Sequence, residues 1–436
     1  MELYQIFQQY PIICTDSRNC PKNSIFFALK GDNFDANSFA AKALENGCAF
    51  AVIDDAKYAV DERYVIVDNV LIALQQLATK HREIVGTKVI GITGTNGKTT
   101  TKELIASVLS EKFNVLFTQG NFNNHIGVPL TLLQIKSEHE IAVIEMGANH
   151  PGEIQILSEI ACPDYGIITN VGKAHLEGFG SFEGVQKTKA ELYNYIFAHG
   201  KGIYINSDNL YLRDMASKVG FSMENNSKVI TYSLQPVSSE AQVVGKVSSC
   251  SPFLEMECSI SGETIQLKTN LIGAYNAENV LAAVSIAWHQ GMNLAEIKAG
   301  IEKYNPTNNR SQLTITERNT LIADAYNANP TSLKAAIENF GAMSVSPKVM
   351  IIGDMFELGS QSEVEHQAII ELINQYSFEK VYLVGSRFQK TKSKYATYET
   401  VEELIEVISK NELLNKNYIL IKGSRGVKLE KIIPYL

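Results

Sequence analysis

Residues 88–109 read "KVIGITGTNGKTTTKELIASVL", and this stretch decides the fold. An apolar run leads into a glycine-rich turn, then Lys98 and three threonines, then a helical pattern. A strand, a glycine turn and a helix in that order make the setting a phosphate-binding loop needs. Glycines let backbone N–H groups converge on phosphate oxygens, and the helix presents its positive end. Gly94, Thr95, Asn96, Gly97, Lys98, Thr99 and Thr100 are therefore the candidate nucleotide-binding residues. Lys98 is placed to reach the outer phosphates, and the Thr99 hydroxyl to ligate Mg²⁺. The usual G-x-x-x-x-G-K-[ST] spacing is broken at one point, because Ile92 stands where the first glycine belongs. A glycine turn with no ligand is the plainer alternative, and the Lys-Thr pair ahead of a helix argues against it.

The rest of the chain sets the frame. Its 436 residues allow two to four domains. A net charge of −8 argues against a nucleic-acid binder, which shows a basic face. "MELYQIFQQY" lacks the basic and apolar regions of a signal peptide, and no apolar run is long enough to span a bilayer. A soluble cytoplasmic protein is expected. The six cysteines show no CxxC pair and no zinc spacing, so they read as buried thiols.

Three territories follow from the periodicity. Residues 1–84 read as a small α/β domain, with "SIFFAL" and "CAFAVID" as strands and a helix between them closed by Gly47. Residues 85–306 alternate strands and helices, which predicts a central parallel-sheet domain around the phosphate loop. Within it, "KVITYSL", "AQVVGKV", "FLEMECSI" and "TIQLKT" read as short strands of an antiparallel ribbon. Residues 307–436 restart the alternation as a C-terminal Rossmann-like domain. The fold class is α/β in three domains.

Two further features lie at strand ends, the edge where parallel sheets bind ligands. Glu145 ends the apolar run "IAVIE" and is a candidate Mg²⁺ ligand, or else a solvated glutamate. His175, in "NVGKAHLEGFGS", follows the next strand. Lys187 and Lys189 lie on the helix behind it, where lysines are ordinarily solvated.

The strings "GTNGKT", "GNFNNHIGVPLTLL", "EMGANHPGEI", "NVGKAHLEGFGS…KTKAEL", "DAYNANPTSLKAAI", "GDMFELG" and "KGSRG" occur in the order and approximate spacing of the Mur ligase family, which the chain resembles over nearly its whole length. The resemblance implies an ATP-dependent ligase of peptidoglycan precursor synthesis. It implies joining of D-alanyl-D-alanine to the peptide carboxylate of UDP-N-acetylmuramoyl-tripeptide through an acyl phosphate. Lys189 matches the lysine that the family carries as a carbamate, with Lys187 the neighbouring alternative. Lys98, Lys189 and His175 then carry catalysis, and Thr99, Glu145, His175 and carbamylated Lys189 hold two Mg²⁺ ions. Asn276, Asn279, Arg310, Asp324, Tyr326 and Asn327 match positions near the nucleotide. Ser17 and Arg18, and Asn121, Asn124 and His125, match positions near the UDP-linked substrate. Three departures stand out: Tyr275 where relatives carry His, Asn309 where they carry Gly, and a single acid, Asp324, in "ADAYNANP". The resemblance further implies a hinge near 305–310 and a monomer. A folylpolyglutamate synthetase shares the loop but not "YNANPTSLKAAI"; a nucleotide-driven switch leaves Lys189 and the last domain without a task.

Overall fold

The computed structural model describes residues 2–31, 33–223, 227–235, 241–306, 310, 312–411 and 414–436. Three sheets organise it. The first has four parallel strands, in the order Ile13–Cys14, Ile25–Phe27, Phe50–Ile53 and Tyr64–Ile66. Its last helix, Val70–Val85, starts at Asn69, whose side chain accepts from the Ile72 N–H, and stops at left-handed Gly86. Leu74, Leu77 and Ala78 on this helix share a core with Ile144, Ile154 and Leu157 of the next unit. Arg82 reaches across to Asp164 at 2.8 Å, so the first two units are bolted together by apolar burial and one shielded ion pair.

The central sheet has nine strands. Val115–Phe117, Ile141–Glu145, Lys88–Thr93, Tyr165–Ile168, Gly202–Asn206 and Val229–Ser233 run parallel, side by side in that order. Their near-continuous apolar runs suit a sheet covered by helices on both faces. The sequence expectation for 228–270 needs correcting here. "KVITYSL" forms Val229–Ser233, which joins the parallel sheet, and Val243–Cys250 pairs parallel to it. Only Val243–Cys250, Phe253–Ile260 and Glu263–Ile272 pair antiparallel, and these strands are long, extending the sheet rather than standing apart. A fully buried apolar strand carries no mark of its neighbour's direction, which is why the sequence misassigned it.

The third sheet orders Gln312–Ile315, Thr320–Asp324, Tyr418–Lys422, Lys348–Gly353, Lys380–Val384 and Ala396–Tyr398, parallel except for the first pair. Its core draws in Ile272 from the central sheet. Of the segment read as a hinge, residues 307–309 lie outside the described residues, and Asn309 with them. Among the described residues, no helix is long and apolar enough to cross a membrane.

Candidate active site

Strand Lys88–Thr93 lies between Ile141–Glu145 and Tyr165–Ile168, so the chain leaving each of the three emerges at one edge. The turn after Thr93 runs into helix Lys98–Leu109. Gly94 has φ +146° and Gly97 φ +77°, backbone settings that side chains resist. A Cβ at Gly94 would lie 2.0 Å from Thr169 Oγ1, and one at Gly97 2.5 Å from Asn279 Oδ1. The loop is thus held from two sides.

On one side, Asn170 Oδ1 accepts from the Asn96 N–H at 2.9 Å, and Thr169 Oγ1 donates to the Asn96 carbonyl at 2.6 Å. Thr95 Oγ1 accepts from the Gly172 N–H at 3.0 Å. On the other side, Thr101 Oγ1 donates to Asn279 Oδ1 at 3.0 Å, and Asn279 Nδ2 donates to Asn276 Oδ1 at 2.8 Å. Asn276 Nδ2 donates in turn to the Ile272 carbonyl. Asn276 and Asn279 are both buried, and the structure places them behind the loop as a brace. Lys98 Nζ folds back onto the Gly94 and Thr95 carbonyls at 2.7 and 3.1 Å. Burial pushes its pKa down. Thr100 sits half-buried in the first helical turn.

Glu145 ends its strand only 1% exposed, so it is no solvated glutamate. Its Oε1 accepts from Thr99 Oγ1 at 3.2 Å and from Asn123 Nδ2 at 2.8 Å. Its Oε2 is buried with no hydrogen-bond partner among the described residues, 3.8 Å from the equally unpartnered Nζ of Lys102. Lys102 is wholly buried, beside the Phe117 ring, and burial lowers its pKa. The sequence reading missed Asn123 and Lys102. Asn123 sits within "GNFNNHIGV" between the candidate residues Asn121 and Asn124. Lys102 falls three residues before buried Ile105 on an amphipathic helix, a signal overlooked because lysines are ordinarily solvated.

The two candidate lysines on helix Phe182–His199 separate cleanly: Lys187 is exposed and Lys189 is 3% exposed. Lys189 Nζ lies 5.6 Å from the Phe179 ring centre, and that ring meets the His175 imidazole edge-on at 6.2 Å. Burial, with the Lys98 charge adding to it, pushes Lys189 down to about 7. Glu191 and Glu153 bias it the other way. Glu191 itself accepts from the Gly152 and Gln155 N–H groups at 2.8 and 2.9 Å.

The third unit closes over this edge. His175, left-handed at φ +49°, turns Nδ1 onto the Glu357 carboxylate, and that bond holds Glu357 below the usual carboxylate range. Lys173 pairs with Glu365 at 2.8 Å. Asn329 Nδ2 donates to Asn96 Oδ1 at 2.7 Å, with Asn96 Nδ2 and Asn329 Oδ1 3.5 Å apart. Arg310 stacks on the Tyr326 ring at 3.8 Å, and Arg425 approaches the same ring at 5.4 Å. Asp324, at its strand end, binds the Nζ of buried Lys422 at 2.5 Å; Lys422 also donates to the Asn327 carbonyl. Asn327 Oδ1 accepts from the Ala328 N–H. Glu357, Asn329 and Lys422 were not anticipated as partners.

The proposed substrate residues lie elsewhere. Exposed Arg18 clamps Asp16 at 2.8 and 2.9 Å, and these hydrogen bonds hold Asp16 at about 2. The Ser17 carbonyl accepts from Asn46. Asn121 and His125 are exposed, while Asn124 Oδ1 accepts from the Ile126 and Gly127 N–H groups as a local cap. The His125 carbonyl accepts from Gln75 on the first unit's helix.

Residues 92–287 match the Mur ligase middle domain, and residues 309–425 match the Mur ligase, glutamate ligase domain. A Bacillus subtilis protein named UDP-N-acetylmuramoyl-tripeptide–D-alanyl-D-alanine ligase is 34% identical, over 97% of this chain and 92% of its own. The crystal structure of MurF from Acinetobacter baumannii is 29% identical with a TM-score of 0.85, covering 99% of this chain and 97% of that one. The structure of MurF ligase from Thermotoga maritima in complex with ADP, 24% identical with a TM-score of 0.86, shares the fold over 100% of this chain and 98% of that one.

Proposed function

This chain belongs to the Mur ligase family, and on that premise we propose that it joins D-alanyl-D-alanine to the peptide carboxylate of UDP-N-acetylmuramoyl-tripeptide, using ATP, in peptidoglycan precursor synthesis. One observation carries the reading. Similarity to a ligase of that name runs over 97% of the chain, and within it the braced loop and Glu145 lie at one sheet edge, with the buried Lys189 amine near enough to feel the Lys98 charge. Residues 1–84 are assigned the uridine-diphosphate end of the substrate, 85–306 the ATP, and 307–436 the dipeptide and closure over the nucleotide. The enzyme is assigned to the cytoplasm as a monomer.

A carboxylate does not react with an amine at neutral pH, because oxide is too poor a leaving group. Transfer of the γ-phosphoryl group gives an acyl phosphate and ADP. The dipeptide amine then attacks, and phosphate leaves. Lys98 exchanges its two loop carbonyls for phosphate oxygens and neutralises charge there. The N-terminal end of helix Lys98–Leu109 adds to that neutralisation. Arg310, over the Tyr326 ring, offers a further cation in the closing third unit. The Asn96–Asn329 and Lys173–Glu365 contacts keep that unit over the loop, shielding the acyl phosphate from water.

Residues fit for Mg²⁺ are present. Glu145 Oε2 is a buried carboxylate oxygen without a hydrogen bond, next to the Thr99 hydroxyl on Oε1. Two Mg²⁺ ions, held by Thr99, Glu145, His175 and the carbamate of Lys189, would supply charge neutralisation between ATP and the substrate carboxylate. The buried Lys189 amine, about half neutral at pH 7 for a pKa of about 7, can add to CO₂, lose a proton and become the carbamate anion.

The test is direct. Purified chain receives ATP, Mg²⁺, D-alanyl-D-alanine and UDP-muramyl tripeptides ending in lysine or diaminopimelate, and products are read by mass spectrometry. The expected result is a UDP-muramyl pentapeptide, with ADP and phosphate released in equal amounts. ATP turnover indifferent to the dipeptide, or glutamate addition to a folate, would overturn the reading.

A further inference from the structure

Away from the ligase site, three cysteines converge in the first unit. Cys14 ends strand Ile13–Cys14, Cys20 follows the turn that contains Asp16 and Arg18, and Cys48 precedes strand Phe50–Ile53. Their sulfurs all lie within 4.8 Å of one another, with Cys14 and Cys20 3.6 Å apart. All three are free thiols. Cys14 and Cys48 are buried and Cys20 is half-buried, so the cluster has a closed floor and an open side.

We propose that Cys14, Cys20 and Cys48 form a three-thiolate site for a soft divalent ion of the zinc class, with water in the fourth position. The geometry supports it. Zinc–sulfur bonds of about 2.3 Å at tetrahedral angles place sulfurs about 3.7–3.8 Å apart. The Cys14–Cys20 separation is 3.6 Å and no pair exceeds 4.8 Å, so the three sulfurs lie close to the spacing that one shared ion requires. Three thiols cannot all pair as disulfides, and an odd number is what a metal can use. Ser24 Oγ lies 3.1 Å from Cys48 Sγ, where it can orient that ligand from outside. The Cys14 and Cys20 thiols donate to the Asp16 carbonyl at 3.2 and 3.7 Å, hydrogen bonds that sulfur–metal bonds would replace on binding.

On binding, each thiol releases one proton and forms one sulfur–metal bond, with no change of oxidation state. The ion chosen differs from the one the ligase chemistry uses, because Mg²⁺ prefers oxygen donors and thiolates prefer zinc. The inference goes beyond the ligase reading and does not rest on it. Sequence spacing hides the site: Cys48 is brought to the other two only by the sheet order, in which Ile13–Cys14 and Phe50–Ile53 flank the same central strand.

The full chain, stripped of metal and kept reduced with a phosphine, is titrated with Co²⁺ and then Zn²⁺. The expected result is one Co²⁺ per chain, a sulfur-to-cobalt charge-transfer band, and loss of that band when Zn²⁺ displaces it. Cys20→Ser, at a half-buried position that the fold tolerates, should weaken Zn²⁺ by at least the roughly 10–100-fold that loss of an outer partner alone costs. Cys162→Ser, outside the cluster, should leave the titration unchanged. Absence of the charge-transfer band in the reduced wild-type chain, or equal affinity in Cys20→Ser, would overturn the site.

Discussion

Replacing Lys189 by methionine should stabilise the protein while abolishing its activity. Lys189 is 3% exposed, and burial together with Lys98 brings it to about 7 from 10.5. Each unit is about 1.4 kcal/mol, so the charged side chain is disfavoured in the fold by up to about 5 kcal/mol. The shorter methionine forfeits some packing, leaving an expected gain of about 2–4 kcal/mol. The sign of the pH dependence follows from proton binding. Below about pH 7 the lysine is protonated both folded and unfolded, and the wild type bears the whole penalty. Between about pH 7 and 10.5 the unfolded chain holds a proton that the folded one does not, so wild-type stability rises with pH. Above that window both states are neutral and the penalty is gone. The methionine variant's advantage should therefore be largest near about pH 6 and shrink toward about pH 10. Urea unfolding of both chains in CO₂-free buffer measures this. An advantage that does not change with pH, or a variant less stable at acid pH, would refute the reasoning. The same neutral amine is the form that takes up CO₂. At about pH 8 some nine-tenths of it is free base, against under about 1% for an ordinary lysine. ¹³C-bicarbonate should accordingly give a carbamate resonance in the wild type that Lys189→Met lacks.

Other outcomes follow from the same geometry. Lys98→Ala should lower turnover by at least about 100-fold, because it removes the cation at the phosphates, yet leave the melting temperature within a few degrees; phosphate release and a thermal melt check both. Arg82→Ala should cost about 1–3 kcal/mol by leaving Asp164 with less compensation at the junction of the first two sheets, read by urea unfolding. Asn329→Ala removes both the helix cap at Ser332 and the bond to Asn96; it should cost about 1 kcal/mol of stability and raise KM for ATP, measured by steady-state kinetics.

Much of this architecture is legible in the amino-acid sequence. The strand, turn and helix at 88–109 were legible because apolar run, glycines and helical period each carry an independent local signal. Glu145 was legible as a strand end, though not as a buried group, since burial depends on what packs above it. Lys189 could not be told from Lys187 by the local pattern, and only the inward face of helix Phe182–His199 separates them. The direction of Val229–Ser233 was unreadable, because both pairings bury the same side chains. Contacts such as His175 with Glu357 join segments far apart in the chain, and no local period announces them. The cysteine cluster escapes for a related reason, since the sheet brings Cys14 and Cys48 together across one intervening strand although 34 residues separate them in the chain.

The reciprocal amide pair between Asn96 and Asn329 also constrains ancestry. The two residues are 233 positions apart, on units whose interiors are built largely from separate side chains. A chimaera that exchanged the last unit between two relatives would keep most of each interior, Ile272 apart, and would have to match side chains at this handshake. Tolerance to recombination in such a protein is therefore governed by its rim, where a few polar side chains must agree, more than by the match of its apolar centres.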